Sequence, residues 1–420
     1  MEQRGKEHFI GLEWLRFLLG LYIVVFHTLH TYKLKEKAPW LMDMVGVGFF
    51  ATSSFFVLSG FLLAHVYCRN GELREAATSF WAKRFSNLYP LHVFSLLLTF
   101  SVLTIINYLG LPPDDVKATV RFVVYDTNVD LGEAGRASIE HYMSNGELLV
   151  NSLLQIFMLQ AWNPFYLTFN APLWSISTLF FFYLTFPFAA PYLMRVKHKI
   201  LWLSALMLIY LVPPLLVIWN GDYGMPFTGM LHRMPIIRIP EFFAGIVSYA
   251  LFRQLRDSGR DPKFMVRILM ALFVMLCFLG AIWLLKGERY WYFLLHNGLL
   301  LPAQLMLIYL CALAGAPHSE WFNNWSRRLG AASLPLFVLH VPVFVLFSRS
   351  EKILNVLSIE CLQNWNSCAV QASEQTLSIW FYPLFLLMTV ILCIWSMEQA
   401  VVPTRKWILK RLPLTAIKQS

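Results

Sequence analysis

Charged side chains are scarce in this sequence. They make up 14% of its 420 residues, whereas a soluble domain carries about a quarter. Apolar residues make up 58%, including 35 Phe and 15 Trp, and the mean hydropathy is +0.56. The apolar residues are more numerous than a soluble core needs, so we expect an all-α protein that crosses a lipid bilayer many times.

Several common sequence signals are also missing. The polar start MEQRGKEHF precedes an apolar run that is too long for a signal peptide and lacks a small-residue cleavage site, so we expect the first helix to be retained. Neither the ligand spacing of a metal site nor a glycine-rich nucleotide loop occurs, which predicts no metal and no bound cofactor. Without an internal repeat or linker, residues 1–420 are expected to form one integral-membrane domain.

The apolar runs predict ten membrane-spanning helices. They lie near residues 11–31, 44–66, 86–108, 172–193, 200–219, 238–253, 266–285, 292–313, 331–348 and 379–400. The connections on one side hold 21 Lys and Arg, and those on the other hold 12. The more basic side is predicted to be cytoplasmic, with both termini there. The net charge of +10 is therefore interpreted as a topology signal, and no nucleic-acid partner is expected.

Two long connections are predicted on the outer side, at about 109–171 and 349–378. The first is acidic and ends in NSLLQIFMLQAW, which is apolar enough to lie in the membrane interface. The second contains Cys361 and Cys368, which either form a local disulfide or remain two unrelated thiols.

The first apolar run, Gly11 to Tyr32, contains ionisable residues at a depth where they are costly. The step from Arg16 to His27 turns a helix through about 1100°, roughly 20° beyond three turns, so both lie on one face. Glu13 and His30 extend this stripe by one turn at either end. The stripe indicates a functional site. The alternative is an Arg that extends to the headgroups and a His bonded to a nearby carbonyl.

Two further stretches carry candidate residues on the predicted inner side. In GVGFFATSSFFVLSGFLLAHVY the small residues favour close helix packing, and Ser59 is a candidate ligand contact. In SFWAKRFSNLYPLHVF, Lys83 and Arg84 precede Tyr89. They either anchor the inner boundary or bind the phosphates of an anionic ligand.

Three stretches carry candidates on the predicted outer side. APLWSISTLFFFYLTFP begins a span with Trp174, Ser175 and Ser177. RIPEFFAGIVSY places Arg238 and Glu241 three residues apart on one helix face, as a candidate ion pair. LGAASLPLFVLHVPV carries His340 in the ninth span.

Taken in order, these motifs resemble the acyltransferase 3 family of integral-membrane acyltransferases. Arg16 and His27 match its Arg, ten residues, His pattern. The other matching segments are FFVLSGFLL (Phe55 to Leu63), KRFSNLYPL (Lys83 to Leu91), WSIS with FFYLTFP (Trp174 to Pro187), RIPEFFAG (Arg238 to Gly245) and SLPLFVLHVPV (Ser333 to Val343). The resemblance covers essentially the whole chain. It departs at Leu179, where members usually carry a glutamate.

The resemblance implies transfer of an acyl group, usually acetyl, from cytoplasmic acyl-CoA to a hydroxyl of a cell-surface or exported sugar. It also implies a location in the bacterial inner membrane. We expect catalysis by His27, as the base or a transient acyl carrier, with Arg16 and Glu241. The expected acyl-CoA contacts are Lys83, Arg84, Tyr89 and Ser59, and the expected acceptor contacts are Trp174, Ser175, Ser177, Arg238, His30 and His340.

Two other classes of function stay open at this point. A secondary transporter or exporter of glycan precursors would also have about ten spans and buried charges, although we find no paired interrupted helices in the sequence. A membrane scaffold or receptor would explain the long loops but not the aligned Arg16 and His27. The sequence identifies neither the acceptor nor the oligomeric state.

Overall fold

The computed structural model describes residues 8–111, 119–125, 141–315 and 319–411. This part of the chain is predominantly helical, which confirms the predicted fold class. Its α-helices are α1 (Ile10–Thr28), α2 (Pro39–Val45), α3 (Gly48–Tyr67), α4 (Ala77–Tyr108), α5 (Asn145–Ile156), α6 (Trp174–Arg195), α7 (Lys199–Asn220), α8 (Phe227–Arg233), α9 (Pro235–Asp257), α10 (Phe264–Leu284), α11 (Tyr290–Leu294), α12 (Leu301–Ala312), α13 (Glu320–Val356), α14 (Ile359–Gln363), α15 (Trp365–Glu374), α16 (Tyr382–Ser396) and α17 (Val402–Arg411). Two antiparallel strand pairs join β1 (Cys68–Arg69) to β2 (Glu72–Leu73) and β3 (Val123–Tyr125) to β4 (Tyr166–Thr168).

Every predicted span coincides with an apolar helical segment. Within the described residues, nine segments are long and apolar enough to cross a membrane. A tenth consists of two parts, Tyr290–Leu299 and Leu301–Ala312, which are bent by 41°. The sequence predicted this segment as one continuous helix, but Asn297 and Gly298 adopt non-helical backbone angles inside it. The chain is therefore an integral membrane protein with one broken span.

The packing of α1 against α13 determines how the broken span is counted. Glu13 contacts Gly330, Gly20 contacts Ser333, and His27 contacts His340, so the two helices run side by side in the same direction. Parallel helices in a bilayer are separated by an odd number of crossings. In the described residues six complete spans lie between them, so the parallel packing assigns the seventh crossing to the broken segment. Ten crossings place both ends of the described chain on one side of the membrane, and which side is cytoplasmic stays a prediction.

A second close contact, between α3 and α9, holds the centre of the bundle together. A Cβ atom on Gly60 would collide with the backbone oxygen of Phe242, and one on Gly245 would collide with that of Val57. Backbones that approach this closely need glycine on both helices. This contact supports the packing explanation for the small residues of the second span.

The first long connection includes a helix with its polar side turned inward. Along α5 and the residues that follow it, Leu149, Leu153 and Phe157 are exposed, while Asn151 and Gln155 are buried. An outward apolar face suits the predicted position in the membrane interface. Most acids predicted for this connection lie outside the described residues, namely Asp114, Asp115, Asp126, Asp130, Glu133 and Glu140.

The second long connection contains helices α14 and α15. Cys361 and Cys368 form a disulfide there, which settles the choice that the sequence left open. The cysteines Cys68, Cys277, Cys311 and Cys393 are free thiols.

Candidate active site

The first part of the site is a direct contact between two histidines on the parallel helices α1 and α13. His27 Nδ1 lies 2.8 Å from His340 Nε2. The rings are inclined by 16° with centroids 5.0 Å apart, as expected for two imidazoles that meet edge to edge. The sequence predicted both residues, but it assigned His340 to the acceptor and not to His27.

The hydrogen bonds of His340 specify the proton positions of the pair. Its Nδ1 lies 2.9 Å from the backbone oxygen of Leu336, which can only accept, so Nδ1 carries the proton. In the neutral ring Nε2 is then an acceptor, and His27 Nδ1 must donate to it. The other nitrogen of His27, Nε2, is left with a lone pair. This is the form that a general base requires.

His27 lies inside the protein but is partly accessible to solvent. It is surrounded by protein groups, and yet its side chain keeps solvent-accessible surface. The same holds for His232 on α8, which is close enough to His27 for an electrostatic interaction. The His232 ring also packs edge-on against Trp174, with centroids 4.6 Å apart. The two histidines therefore lie among protein groups and keep some accessible surface.

The second part of the site is a buried ion pair on α9. Arg238 Nη2 lies 3.2 Å from a carboxylate oxygen of Glu241, and both side chains are fully buried. Tyr210 on α7 donates to the other carboxylate oxygen at 2.5 Å. The predicted ion pair is thus confirmed. A charged pair in the apolar core is costly unless further hydrogen bonds satisfy it.

The broken span supplies one of those hydrogen bonds. Arg238 Nη1 donates to His296 Nδ1 at 2.8 Å, and Nη2 donates to Ser53 Oγ at 2.9 Å. The His296 ring lies 5.3 Å from the His232 ring, centroid to centroid. We call His27, His340, His232 and His296 the histidine cluster.

A cavity of about 280 Å³ lies further along α1. Its lining residues are Glu13, Arg16, Asn87, Leu91, Arg327, Ala331, Leu334 and Met397. Arg16 forms a 3.3 Å ion pair with Glu13 and lies about 16 Å from His27 along the helix axis, at 1.5 Å per residue. Arg327 is a second cationic lining residue that the sequence did not single out. We call this space the arginine cavity.

None of the expected acyl-CoA contacts lines the arginine cavity. Lys83 pairs with Glu75, and Arg84 donates to Tyr67 Oη at 2.5 Å. Both precede the lining residue Asn87 by about one helical turn. Tyr89 stacks on Phe85 with ring centroids 4.7 Å apart. Ser59 lies 3.4 Å from Tyr183 Oη, on α3.

Three of the expected acceptor contacts are two serines on α6 and a histidine that follows α1. Ser175 donates to the backbone oxygen of Pro172 at 2.7 Å, and Ser177 accepts from the backbone N–H of Ala161 at 3.2 Å. Both serines thus hold the polypeptide that leads into α6. His30 is exposed, just past the end of α1.

Comparison with known proteins identifies the family of the chain. The acyltransferase domain of the acyltransferase 3 family matches residues 9–398, nearly the whole chain. The chain belongs to the acyltransferase 3 family. The predicted membership is therefore confirmed, and residues 9–398 form an acyltransferase domain.

Two relatives are similar in sequence to part of this acyltransferase 3 chain. It is 26% identical over 225 residues to Acyltransferase MdmB of Streptomyces mycarofaciens, a match that covers 51% of this chain and 49% of that protein. It is 29% identical over 178 residues to Protein 2 in picA locus of Rhizobium radiobacter, covering 42% of this chain and 76% of that protein. The match thus spans about half the length of MdmB. No solved structure matches the chain.

The chain departs from the expected family pattern at Leu179. This residue is buried in the apolar core. A different carboxylate, that of Glu241, is joined to the histidine cluster through Arg238. In the described part of the chain, no group of His, Cys, Asp or Glu could hold a metal ion.

Sequence reasoning missed His232, His296 and Arg327. One signal was available, because the stretch LHNG places an ionisable residue and a glycine together inside a predicted span. Nothing local indicated that the three would meet the motif residues, since that depends on which helices are neighbours.

Proposed function

We propose that this protein is a membrane O-acyltransferase that moves an acyl group, acetyl by default, from cytoplasmic acyl-CoA to a hydroxyl of a cell-surface or exported sugar. The single observation that carries the proposal is the position of His27. The hydrogen bonds of the pair leave its Nε2 with a lone pair, its side chain keeps accessible surface, and its helix also lines the arginine cavity. Membership in the acyltransferase 3 family supports the reaction class.

The proposed chemistry uses His27 as a general base. Nε2 takes the proton of the acceptor hydroxyl while that oxygen forms a bond to the thioester carbonyl carbon. The tetrahedral intermediate collapses, the carbon–sulfur bond breaks, and the leaving thiolate takes the proton from the His27 imidazolium. The products are an ester and CoA thiol. His340 accepts the Nδ1 hydrogen bond throughout and stabilises the imidazolium orientation.

The proposed donor site is the arginine cavity. The phosphates of acyl-CoA require cationic partners. Arg16 and Arg327 line the cavity, and Arg84 lies about one turn before the lining residue Asn87. A pantetheine arm that starts there and follows α1 brings the thioester toward His27. This direction agrees with the predicted cytoplasmic location of the α1 start. The proposed location of the protein is the bacterial inner membrane.

The arginine cavity gives a paired test of the donor site. We expect Arg327→Ala to raise KM for acetyl-CoA roughly 10-fold or more, since a hydrogen bond to a charged group contributes about 1.5–3 kcal/mol. Arg328→Ala is the matched control, because this neighbour pairs with Glu398 and does not line the cavity. Equal KM values for the two variants would remove Arg327 from donor binding. Steady-state thiol release gives both values.

A secondary transporter is the second candidate, and the broken span favours it. Non-helical backbone at membrane depth is tolerated where it is buried or lines a cavity, and transporters use such breaks to bind substrates. Uptake of a labelled sugar into proteoliposomes without consumption of acetyl-CoA would support this candidate against the acyltransferase.

The proposed reaction and acceptor are tested together by mass analysis of surface glycans from cells with and without the protein. When the protein is absent, we expect one glycan species to lose the mass that an acetyl group adds when it replaces a hydroxyl hydrogen. Identical glycan masses in both strains would contradict a glycan acceptor.

A further inference from the structure

The tautomer of His296 is specified by Arg238. The guanidinium has five N–H donors and no acceptor. Because Arg238 Nη1 lies 2.8 Å from His296 Nδ1, this nitrogen must accept, and the imidazole proton lies on Nε2. The ring therefore presents an N–H on the edge opposite to the arginine.

Arg238 itself has little freedom to move. Its side chain is fully buried between the Glu241 carboxylate at 3.2 Å and Ser53 Oγ at 2.9 Å. Phe56 and Tyr210 lie against its guanidinium group, with ring centroids 5.5 and 5.8 Å from Cζ. A cation held beside Nδ1 also opposes a second proton on that nitrogen, so His296 stays a neutral donor.

His296 lies in the same cluster as the proposed base. Its ring is 5.3 Å from that of His232, which interacts electrostatically with His27. The backbone leaves the helical conformation at the next two residues, Asn297 and Gly298. The span is thus broken at the point where His296 joins the cluster.

We propose that His296 is a further catalytic residue, which donates its Nε2–H to the thioester carbonyl oxygen as the tetrahedral intermediate forms, and that Arg238 is its positioning residue. This inference rests on the proposed acyl transfer. When the acceptor oxygen bonds to the carbonyl carbon, the π electrons of the carbonyl move onto the carbonyl oxygen. His296 keeps its proton and stabilises the charge by a hydrogen bond. When the carbon–sulfur bond breaks, the electron pair returns to the carbonyl.

Two substitutions separate a catalytic donor from a structural partner of Arg238. Asparagine places its amide oxygen near the position of Nδ1, so His296→Asn keeps an acceptor for Arg238 but loses the N–H at the Nε2 position. Glutamine places its amide nitrogen near Nε2, so His296→Gln keeps the donor. Loss of one such donor costs about 10²–10³ in kcat, which is the loss we expect for His296→Asn.

The assay is thiol release from acetyl-CoA by membranes that contain the full-length protein, supplied with surface glycans extracted from the producing cells. We expect His296→Gln to retain kcat within about 10-fold of wild type, with KM for acetyl-CoA unchanged in both variants. A His296→Asn variant as active as His296→Gln, or more active, overturns the inference. A wild-type protein that releases no thiol contradicts the proposed function instead.

The positioning role of Arg238 has its own readout. Arg238→Lys keeps a positive charge beside Glu241 but removes the forked set of donors. We expect it to lower kcat in the wild-type background and to have little further effect in the His296→Gln background. An equal loss of kcat in both backgrounds would mean that Arg238 does not act through His296.

Discussion

At the scale of single residues, the central feature is the hydrogen-bond chain from the Leu336 carbonyl through His340 to His27. Each link has only one assignment of donor and acceptor when both rings are neutral. The chain fixes the orientation of the His27 ring and leaves a lone pair on its Nε2, which in the proposed reaction receives the proton of the acceptor hydroxyl. His340 therefore acts through His27.

This role predicts a difference between two substitutions of His340. His340→Leu removes the acceptor of the His27 Nδ1–H, and we expect kcat to fall about 10²-fold, near the lower end of what general-base catalysis contributes. The terminal amide of glutamine can rotate to present its oxygen to the His27 N–H, so His340→Gln should recover part of that kcat. Thiol release from acetyl-CoA measures both. Equal activity of the two variants would show that the hydrogen bond has no catalytic role.

The sequence predicted the individual members of the site better than their partners. The positions of Arg16 and His27 on one helix face follow from the period of 3.6 residues. The contact of His27 with His340 joins residues 313 positions apart and depends on α1 packing beside α13. Burial of Arg238 with His296 likewise required knowledge of the helix arrangement, which no local pattern contains.

At the scale of helices, the close approach of α3 and α9 positions Ser53 beside Arg238. The sequence indicated close packing through its small residues, and the structure identifies the partner helix. The broken span was not predicted, because LHNGLLLP is apolar enough to continue the helix, and the non-helical angles at Asn297 and Gly298 depend on the buried surroundings.

The α3–α9 contact predicts that Gly245→Ala destabilises the protein. The new Cβ would collide with the backbone oxygen of Val57, and overpacking of this kind costs about 1–3 kcal/mol. Gly280→Ala on α10 is the control, because nothing lies within 4 Å of its added Cβ. Thermal unfolding in detergent should show a lower Tm for the first variant alone. Unchanged Tm in both would contradict the packing argument.

His141 to Glu147, which lead into α5 and form its first turn, are here called the α5 loop. We predict that this segment is sensitive to acid. Hydrogen bonds from the backbone N–H of Ser144 and from His141 hold the pKa of the Glu147 carboxyl at about 2, below its ordinary value of 4.5. Because the folded-state pKa is depressed, this contribution is complete above the ordinary value and is lost as the pH falls toward 2.

We therefore expect proteolysis of the α5 loop in the wild type to increase as the pH falls through that range. Glu147→Gln should make the loop more susceptible at neutral pH and remove this increase. Glu288→Gln, at an exposed position outside the loop, is the control. A wild-type loop that is equally resistant at both ends of the range would contradict the prediction. An acid-active protease in the acidic range and a second protease that is active at neutral pH, each with mass detection of the fragments, provide the measurement.

At the scale of the whole molecule, the parallel pair α1 and α13 places two kinds of chemistry at different depths. Arg16 and Arg327 line the arginine cavity at one end, and His27 and His340 meet about 16 Å further along α1, at 1.5 Å per residue. The sequence predicted this division from the spacing of Arg16 and His27. A separation of this kind suits a donor and an acceptor that approach from opposite sides of a membrane.

The central claim is that the protein transfers an acyl group from acyl-CoA to an acceptor hydroxyl with His27 as the general base. It is tested most directly with [¹⁴C]acetyl-CoA and membranes that contain wild type, His27→Ala or the exposed control His198→Ala, supplied with surface glycans from the producing cells. The account predicts thiol release and labelled glycan for wild type and His198→Ala, and neither for His27→Ala at equal membrane levels. Undiminished glycan labelling by His27→Ala would contradict it.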